Sequence, residues 1–267
     1  MWIEGQAMAE KAVQGAQVVS RVARLLRIVG RVPETGVALA DIVDAAGLTR
    51  PTVYRLLNSL AAEGLLDHNA ETNTWHLGPE LYVMGAVAAG RYAIEDLARP
   101  SLQRLADETG ESAFLSIRRG DETVCLVRVE GSFPVRSFVL HEGVRFPLGV
   151  ASAGLAIMAF LPEEEVERLL DDGGARVSRF GAAHSAENIR ANLEATRRAG
   201  YTVNPGLILE GSWGMGAAVF DANGNPAWAL SLTGIEQRFR PNRQEFLGKL
   251  LLEEAHKITQ QLKERRR

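Results

Sequence analysis

The first quarter of the chain carries apolar residues at helical spacing. Over about residues 16–32 they recur three and four positions apart and predict one buried stripe, made of Val18, Val22, Leu25, Leu26 and Val29. Pro33 and Gly36 are expected to end this helix. A second, short helix is predicted over residues 39–47, where Gly47 suits the left-handed residue that stops a helix.

A third helix is predicted within GLTRPTVYRLLNSLAAEGLL (47–66), and it keeps polar side chains on its outer face. Thr49 suits the N-cap, and Pro51 suits the first turn, where a missing N–H costs nothing. Tyr54 and Arg55 point away from the buried stripe, which consists of Val53, Leu56, Leu57 and Leu60. An exposed Tyr beside an Arg indicates a partner outside the domain.

Two short strand-like pieces follow Gly64: LLDH (65–68) and TWHL (74–77), with a turn between them. Three helices and a hairpin predict a winged helix-turn-helix domain over residues 1–78. A linker helix is predicted over residues 79–98. Its stretch LYVMGAVAA is apolar on most sides, so it is a candidate for contacts within a dimer.

The remainder, residues 99–267, alternates strands and helices, and Pro100 is expected to open its first helix. Strands are predicted at 112–119, 123–130, 134–140, 200–204, 212–221 and 227–234. Helices are predicted at 152–160, 162–171, 185–199 and 241–264. This order predicts an α+β domain, in which helices flank an antiparallel sheet.

Composition and charge agree with a globular protein that has no strongly basic character. Apolar residues make up 46% of the chain and charged residues 24%, and the net charge is −3. Residues 1–77 contain seven Lys or Arg and eight Asp or Glu, a net charge of −1. Any attraction for nucleic acid must therefore come from where the charges lie on the domain. Arg50 and Arg55 would face the nucleic acid, and Glu63 and Asp67 would lie on the side away from it. Few phosphates would be neutralised, so the dependence on salt should be shallow.

The single cysteine, Cys125, allows no internal disulfide and fits the reducing cytoplasm. The longest apolar run, residues 149–161, is too short to span a bilayer, and the N-terminus lacks the pattern of a secretory signal. We therefore expect a cytoplasmic protein with no membrane partner.

The second helix of a helix-turn-helix enters the major groove of duplex DNA, and its first residues meet base edges. Arg binds guanine or phosphate, Asn pairs with adenine, and hydroxyls hold phosphates. The candidate DNA-binding residues are Thr49, Arg50, Pro51, Thr52, Tyr54, Arg55 and Asn58. Helix pairs with outward Arg residues also occur in proteins that never touch DNA, so a module that binds another protein remains an alternative.

A candidate ligand site lies in PLGVASAGLAIM (147–158), where small residues precede an apolar helix. Small residues let backbone approach a ligand, and the free N–H groups of a helix start suit a carboxylate. Tight packing of a helix on a sheet demands the same small residues. The residues alone leave both interpretations open.

Several segments, in order along nearly the whole chain, resemble the IclR-type (isocitrate lyase regulator) family of transcriptional regulators. They are LADIVDAAGLTRPTVYRLLNSLAAEGLL, WHLGPEL, LADETGESAFLSI, RFPLGVASAGLAIMAFLP, IRANLEATRRAGYTVNPG and GAAVFDANGNPAWALSLTG. The resemblance implies a DNA-binding domain, a linker helix and a GAF-like domain over 99–267 that binds a small effector. It also implies homodimers, or dimers of dimers, on palindromic double-stranded operators, and effectors that are small carboxylates or aromatic acids.

The resemblance carries over a set of effector-binding residues: Gly149, Val150, Ala151, Ser152, Ala153, Asn204, Trp213, Gly214, Met215, Ser231 and Thr233. Ser231 and Thr233 alternate with leucines, so both hydroxyls should face one side of a strand. The chain departs from the family at Asn204, often Asp, at Gly214, often Cys, and at Leu155, often Lys. Loss of the Asp charge should ease anion binding, and Gly214 should enlarge the site. We expect an aromatic or mid-sized carboxylic acid, or a related amide.

A small-molecule hydrolase is the enzyme alternative, because Ser152 lies near a strand-to-helix turn. The run Val150-Ala151-Ser152-Ala153-Gly154 lacks the first glycine of the nucleophile elbow. The five histidines have no metal-binding spacing, Cys125 lies mid-strand, and no phosphate loop or dinucleotide fingerprint occurs. We therefore expect no catalytic residues, no metal and no cofactor.

Overall fold

The computed structural model describes residues 17–32, 34–89, 94–137, 139–178 and 180–265. The chain divides into two compact units, residues 1–92 and 93–267. The first contains α1 (Gln17–Val29), β1 (Val37–Ala38), α2 (Leu39–Ala46), α3 (Arg50–Ala62), β2 (Leu66–Asn69), β3 (Thr74–Leu77) and α4 (Pro79–Ala89). The second contains α5 (Ile94–Thr109), β4 (Ser112–Arg119), β5 (Glu122–Val129), β6 (Arg145–Pro147), α6 (Ser152–Met158), α7 (Glu163–Ser178), α8 (Ala186–Ala199), β7 (Tyr201–Pro205), β8 (Ser212–Phe220), β9 (Pro226–Ile235) and α9 (Pro241–Glu264).

The first unit is a winged helix, as predicted. Its core joins the inner faces of α1, α2 and α3 to the hairpin, with Leu25, Ile42, Leu57 and Trp75 buried. The predicted stripe of α1 is wrong at Val18, which is 59% exposed. Helical spacing identifies a face of a helix, but that face is buried only where other elements cover it. The predicted start of α1 at residue 16 and its break at Pro33 lie outside the described residues.

A third strand completes the wing and was not predicted. Val37 and Ala38 pair with Trp75 and Thr74 of β3 in an antiparallel ladder, so the strand order is β1-β3-β2. Two residues are too few to show the alternation that reveals a strand in a sequence.

The second unit is built on a six-stranded antiparallel sheet with the order β6-β5-β4-β9-β8-β7. One face carries the core that includes Leu102 and Leu105 of α5 and Leu247 and Leu251 of α9. The opposite face carries α6, with α7 and α8 contributing to the same core. This arrangement confirms the predicted α+β class, with helices on both faces of one sheet.

The strand predicted at 134–140 is wrong. The described part of this segment forms bends, and the missing strand is Arg145–Pro147, which pairs with β5. Two side-chain bonds explain the difference: Arg136 Nε donates to the nearby Phe133 carbonyl at 3.0 Å, and Ser137 Oγ lies 2.6 Å from Ser212 Oγ on β8. Side-chain bonds of this kind compete with the ladder of a sheet.

The prediction that Pro100 opens a helix is also wrong. Helix α5 begins at Ile94 and continues through Pro100. It crosses the boundary predicted at residues 98 and 99, since Ile94 and Ala98 are buried in the second core. A proline inside a helix removes one hydrogen bond, and the apolar face of α5 offsets that loss. Among the described residues, no helix is long and apolar enough to cross a membrane.

Candidate nucleic-acid interface and ligand site

Helix α3 presents the predicted DNA-binding side chains on the outer surface of the winged helix. Val53 and Leu57 are fully buried, whereas Tyr54 is 54% exposed and Arg50 and Arg55 are exposed. Within the described residues, no hydrogen bond or ion pair engages the guanidinium group of either arginine, although the Arg55 carbonyl accepts from Ser59 Oγ at 2.9 Å. The first turn of α3 contains no acidic residue. The positive end of the helix and two cations are therefore free to meet an anion.

Two other candidates on α3 are engaged locally. Thr49 occupies the N-cap position as predicted, but its side chain does not cap the helix, because its Oγ1 lies 2.9 Å from Thr52 Oγ1. Asn58 donates from Nδ2 to the Tyr54 carbonyl at 2.8 Å. An adenine contact by Asn58 would have to break that bond first. Arg50, Tyr54 and Arg55 are thus the predicted contact residues whose exposed side chains are not held by such a local bond among the described residues.

The tip of the wing is held rigidly beside α3. Asn69 Oδ1 accepts from the amides of Glu71 at 2.9 Å and Thr72 at 3.2 Å, and Asn73 is left-handed with φ of 53°. His68 stacks against Trp75 with ring centroids 4.6 Å apart. The wing was predicted, but no DNA-binding residue was predicted in it, because the residues of its turn specify the shape of the backbone rather than contacts with a partner.

The ligand site predicted in the second unit is organised by the register of three strands, β7, β8 and β9. Ser231 pairs with Gly216, and Gly216 with Thr202; Thr233 pairs with Gly214, and Gly214 with Asn204. Residues directly opposite each other on paired strands point to the same face of a sheet. Their leucine neighbours Leu230 and Leu232 lie in the core with α5 and α9. The predicted alternation of Ser231 and Thr233 is therefore confirmed.

Glycines on β8 let the start of α6 lie directly on the sheet. A Cβ at position 214 would lie 2.9 Å from Ser152 Oγ, and one at position 216 would lie 3.0 Å from the Ser152 carbonyl oxygen. Ser152 is 6% exposed. The expectation that Gly214 enlarges the site is wrong, because Ser152 fills the space that a side chain at position 214 would take.

Asn204 closes this corner of the site through its amide. Its Nδ2 donates to the Val150 carbonyl at 2.7 Å, and its Oδ1 accepts from the Leu207 amide at 3.3 Å. An aspartate could not make the first bond, because an ionised carboxylate has no hydrogen to donate. Asn204 is 4% exposed, so its role is to join β7 to the loop before α6.

The other predicted residues of this loop contribute backbone and packing. Gly149 has φ of 91° and would meet Ile189 Cδ1 at 3.1 Å if it carried a Cβ. Ala151 is the N-cap of α6, and Val150 and Ala153 are buried in the core on this side of the sheet.

Trp213 and Met215, two of the predicted effector-binding residues, lie on the other face of the sheet. Both alternate with Gly214 along β8 and contribute to the core on the opposite face, where Met215 is fully buried. Because successive residues of a strand point to opposite faces, a run of neighbours cannot line one pocket. The side chains of Trp213 and Met215 therefore face away from the hydroxyls of Ser231 and Thr233, and a part for them in effector binding stays a prediction.

Three hydroxyls on the face toward α6 are buried without a partner. Thr202 Oγ1, Ser231 Oγ and Thr233 Oγ1 make no hydrogen bond to any described residue. A buried hydroxyl left unpaired costs about 1–3 kcal/mol, so three on one face indicate that a polar molecule completes them. Thr202 was missed by the sequence analysis, although its alternation with Asn204 in GYTVN could have identified it.

Neither the single cysteine nor the described His, Asp and Glu side chains are arranged as an enzyme would need them for nucleophilic attack or metal binding. Burial, and to a smaller degree the nearby Glu142 carboxylate, raise the pKa of the Cys125 thiol to about 12. The thiolate needed for nucleophilic attack is therefore scarce at neutral pH. Among the residues that the structure describes, no group of three His, Cys, Asp or Glu side chains could hold a metal ion.

A cavity of about 310 Å³ lies elsewhere in the second unit, beside α7 and α8. None of the predicted effector-binding residues lines it. The predicted effector site coincides with the unpaired hydroxyls rather than with this cavity, because two of the three, Ser231 Oγ and Thr233 Oγ1, lie on residues predicted to bind the effector.

Comparison with protein families matches both units. Residues 86–260 match the family described as "Bacterial transcriptional regulator IclR C-terminal", and residues 18–70 match the "IclR helix-turn-helix domain". The regulator KipR of Bacillus subtilis is 27% identical over 224 residues, which are 84% of this chain and 89% of that protein. The transcriptional repressor IclR of Escherichia coli is 24% identical over 245 residues, covering 90% and 89%.

Solved structures share the fold. An IclR-type regulator from Alicyclobacillus acidocaldarius superposes with a TM-score of 0.78 at 24% identity, covering 92% of this chain and 98% of that one. An IclR homologue from Microbacterium hydrocarbonoxydans, complexed with 4-hydroxybenzoate, gives a TM-score of 0.74 at 24% identity, covering 92% and 99%.

The seating of α6 on β8 predicts different costs for two alanine substitutions. Gly216→Ala should destabilise the protein by about 1–3 kcal/mol, because the new methyl meets helix backbone. Gly214→Ala should cost less, because it meets a hydroxyl that can rotate, and Ser152→Ala should remove most of that cost. Urea unfolding of the four variants measures both effects. Equal losses at the two glycines, or no rescue by Ser152→Ala, would contradict this packing.

Proposed function

Since the chain belongs to the IclR family of bacterial transcriptional regulators, with a helix-turn-helix domain and a C-terminal effector-binding domain, we propose which residues perform the two tasks. Helix α3 reads double-stranded operator DNA in the cytoplasm. A small acid bound over the hydroxyls of Thr202, Ser231 and Thr233 sets how tightly the operator is held. Three unpaired hydroxyls on one buried face are the observation that carries this proposal.

For DNA, the supporting features are the exposed arginines and the unopposed start of α3. Arg50 lies in the first helical turn and Arg55 lies one and a half turns later, with Tyr54 exposed between them. Arg55 or Arg50 reaches guanine or a phosphate, and the first-turn amides suit a phosphate. The winged-helix segment is slightly acidic, so specific contacts rather than bulk charge provide affinity.

A second copy of the chain is the proposed partner of α4. Four of its side chains are large, apolar and exposed: Tyr82 (81%), Val83 (51%), Met84 (55%) and Val87 (76%). A contiguous apolar surface of this kind marks an interaction site. A homodimer, or a dimer of dimers, would present two α3 helices to the half-sites of a palindrome, about one helical turn apart or a multiple of it.

For the ligand, the chemistry of the face favours a carboxylic acid or a related amide. Ser and Thr hydroxyls donate to carboxylate oxygens, and Asn204 replaces an acid that would repel an anion. The Microbacterium hydrocarbonoxydans homologue is complexed with 4-hydroxybenzoate, which supports an aromatic acid. Differential affinity of about 1–3 kcal/mol between two arrangements of the protein would be enough to shift operator occupancy.

The hydroxyl pair on β9 gives the test of the ligand site. Ser231→Ala with Thr233→Val should weaken binding of benzoate or 4-hydroxybenzoate about 10- to 100-fold, because hydrogen bonds to a charged group are lost. The free protein should lose no stability, since those hydroxyls have no partner in it. Calorimetric titration and thermal unfolding measure the two effects.

Thr196→Val is the matched control, because that hydroxyl already donates to the Asn192 carbonyl at 2.7 Å on α8. It should leave ligand binding unchanged. If the double variant binds every tested acid as tightly as the parent protein does, the hydroxyls do not hold the ligand.

The arginines of α3 give the test of DNA reading. Arg50→Ala and Arg55→Ala should each weaken binding to duplexes selected by the full-length protein from a random pool, by about 1–3 kcal/mol. Fluorescence anisotropy at fixed salt measures the affinities. Arg198→Ala, on an exposed side chain of α8, is the control and should have no effect. Unchanged affinity in both α3 variants would favour a module that binds protein.

A further inference from the structure

The cavity beside α7 and α8 is a pocket with an apolar floor. Its volume is about 310 Å³, and its floor consists of the buried side chains of Leu148, Leu169, Leu170, Val177 and Ile189. Its mouth is formed by exposed residues of the turn between α7 and α8, among them Gly181, Ala182 and Ser185. The size lies at the lower end of the range for small-molecule sites.

One polar group projects into this apolar surrounding without a partner. His184 is 3% exposed, and its Nδ1 lies 3.1 Å from the Phe180 carbonyl oxygen. A carbonyl only accepts, so the proton of that bond is on Nδ1. Nε2 is buried and makes no hydrogen bond to any described residue. In the tautomer that carries its proton on Nδ1, Nε2 is a hydrogen-bond acceptor.

The mouth of the pocket is preorganised by the start of α8. Ser185 is the N-cap, and its Oγ accepts from the Asn188 amide at 3.3 Å. Asn188 Nδ2 also donates to the Ala182 carbonyl at 3.1 Å. These bonds hold the turn that carries His184, and a pocket held open in advance loses less ordering entropy when a ligand enters.

We propose that this pocket is a second ligand site, separate from the hydroxyl face on the sheet, and that it takes a small neutral ring compound with one hydroxyl, such as a phenol. The hydroxyl donates to His184 Nε2, and the ring packs against Leu148, Leu170 and Ile189. An apolar cavity of about 150 Å³ holds benzene, so the larger volume here admits a substituted single ring. A carboxylate is disfavoured, because the described side chains of the floor offer it no donor.

The test uses full-length protein labelled at its Ile and Leu methyl groups, with phenol and toluene as probes. Phenol should shift the methyl resonances of Ile189 and Leu170. His184→Phe should weaken phenol binding about 3- to 10-fold, the value of one lost hydrogen bond, while toluene binding changes less than about twofold. The Ser231→Ala, Thr233→Val double variant should bind phenol at these methyls as the parent protein does.

Ala182→Trp provides a second variant at the exposed mouth, where the fold is least affected. It should abolish the methyl shifts from both probes with an unchanged melting temperature. The proposal is overturned if phenol leaves Ile189 and Leu170 unshifted at millimolar concentration, or if His184→Phe weakens both probes equally. Loss of the phenol shifts in the Ser231→Ala, Thr233→Val protein would also overturn it, since the binding would then belong to the sheet face.

Discussion

The second unit depends on how closely α6 approaches β8. Gly214 and Gly216 present no side chain to the helix, so the Ser152 carbonyl and hydroxyl lie where two Cβ atoms would otherwise be. This contact brings the loop before α6 near enough for Asn204 to hold the Val150 carbonyl. It also sets the helix start over the sheet beside the hydroxyls of Ser231 and Thr233. The proposed site for an acid thus depends on the absence of side chains at positions 214 and 216.

The two faces of the six-stranded sheet differ in character: one is filled by apolar side chains, and the other carries the polar groups proposed to bind a ligand. The face toward α5 and α9 is filled by apolar side chains such as Met215, Leu230 and Leu232, which are completely buried. The face toward α6 carries buried hydroxyls that lack partners, and an unpaired buried hydroxyl lowers stability. A protein can tolerate this loss of stability at a binding site, because a ligand that bonds to the hydroxyls supplies the missing hydrogen bonds in the bound state.

Much of this organisation could be predicted from residue patterns, and the exceptions have physical reasons. Helix α9 matches its predicted bounds, since caps and long apolar spacing are local signals. The prediction that a helix begins at Pro100 was wrong, because the burial of neighbouring apolar side chains outweighs the tendency of proline to interrupt a helix. Trp213 was predicted to belong to the effector site because it precedes Gly214. Since successive residues of a strand point to opposite faces, its side chain lies on the other face of the sheet. The hydrogen bond from Asn204 to the Val150 carbonyl joins residues far apart in the sequence, so no local pattern of residues could predict it.

We propose above all that occupation of the hydroxyl face changes how tightly α3 holds DNA. The direct measurement is the operator affinity of the full-length protein by fluorescence anisotropy, with and without a saturating acid whose binding requires Ser231 and Thr233. A change of about 5- to 150-fold is predicted, with the same factor appearing in the affinity for the acid when operator is bound. An acid that occupies this face yet leaves operator affinity unchanged would contradict the claim.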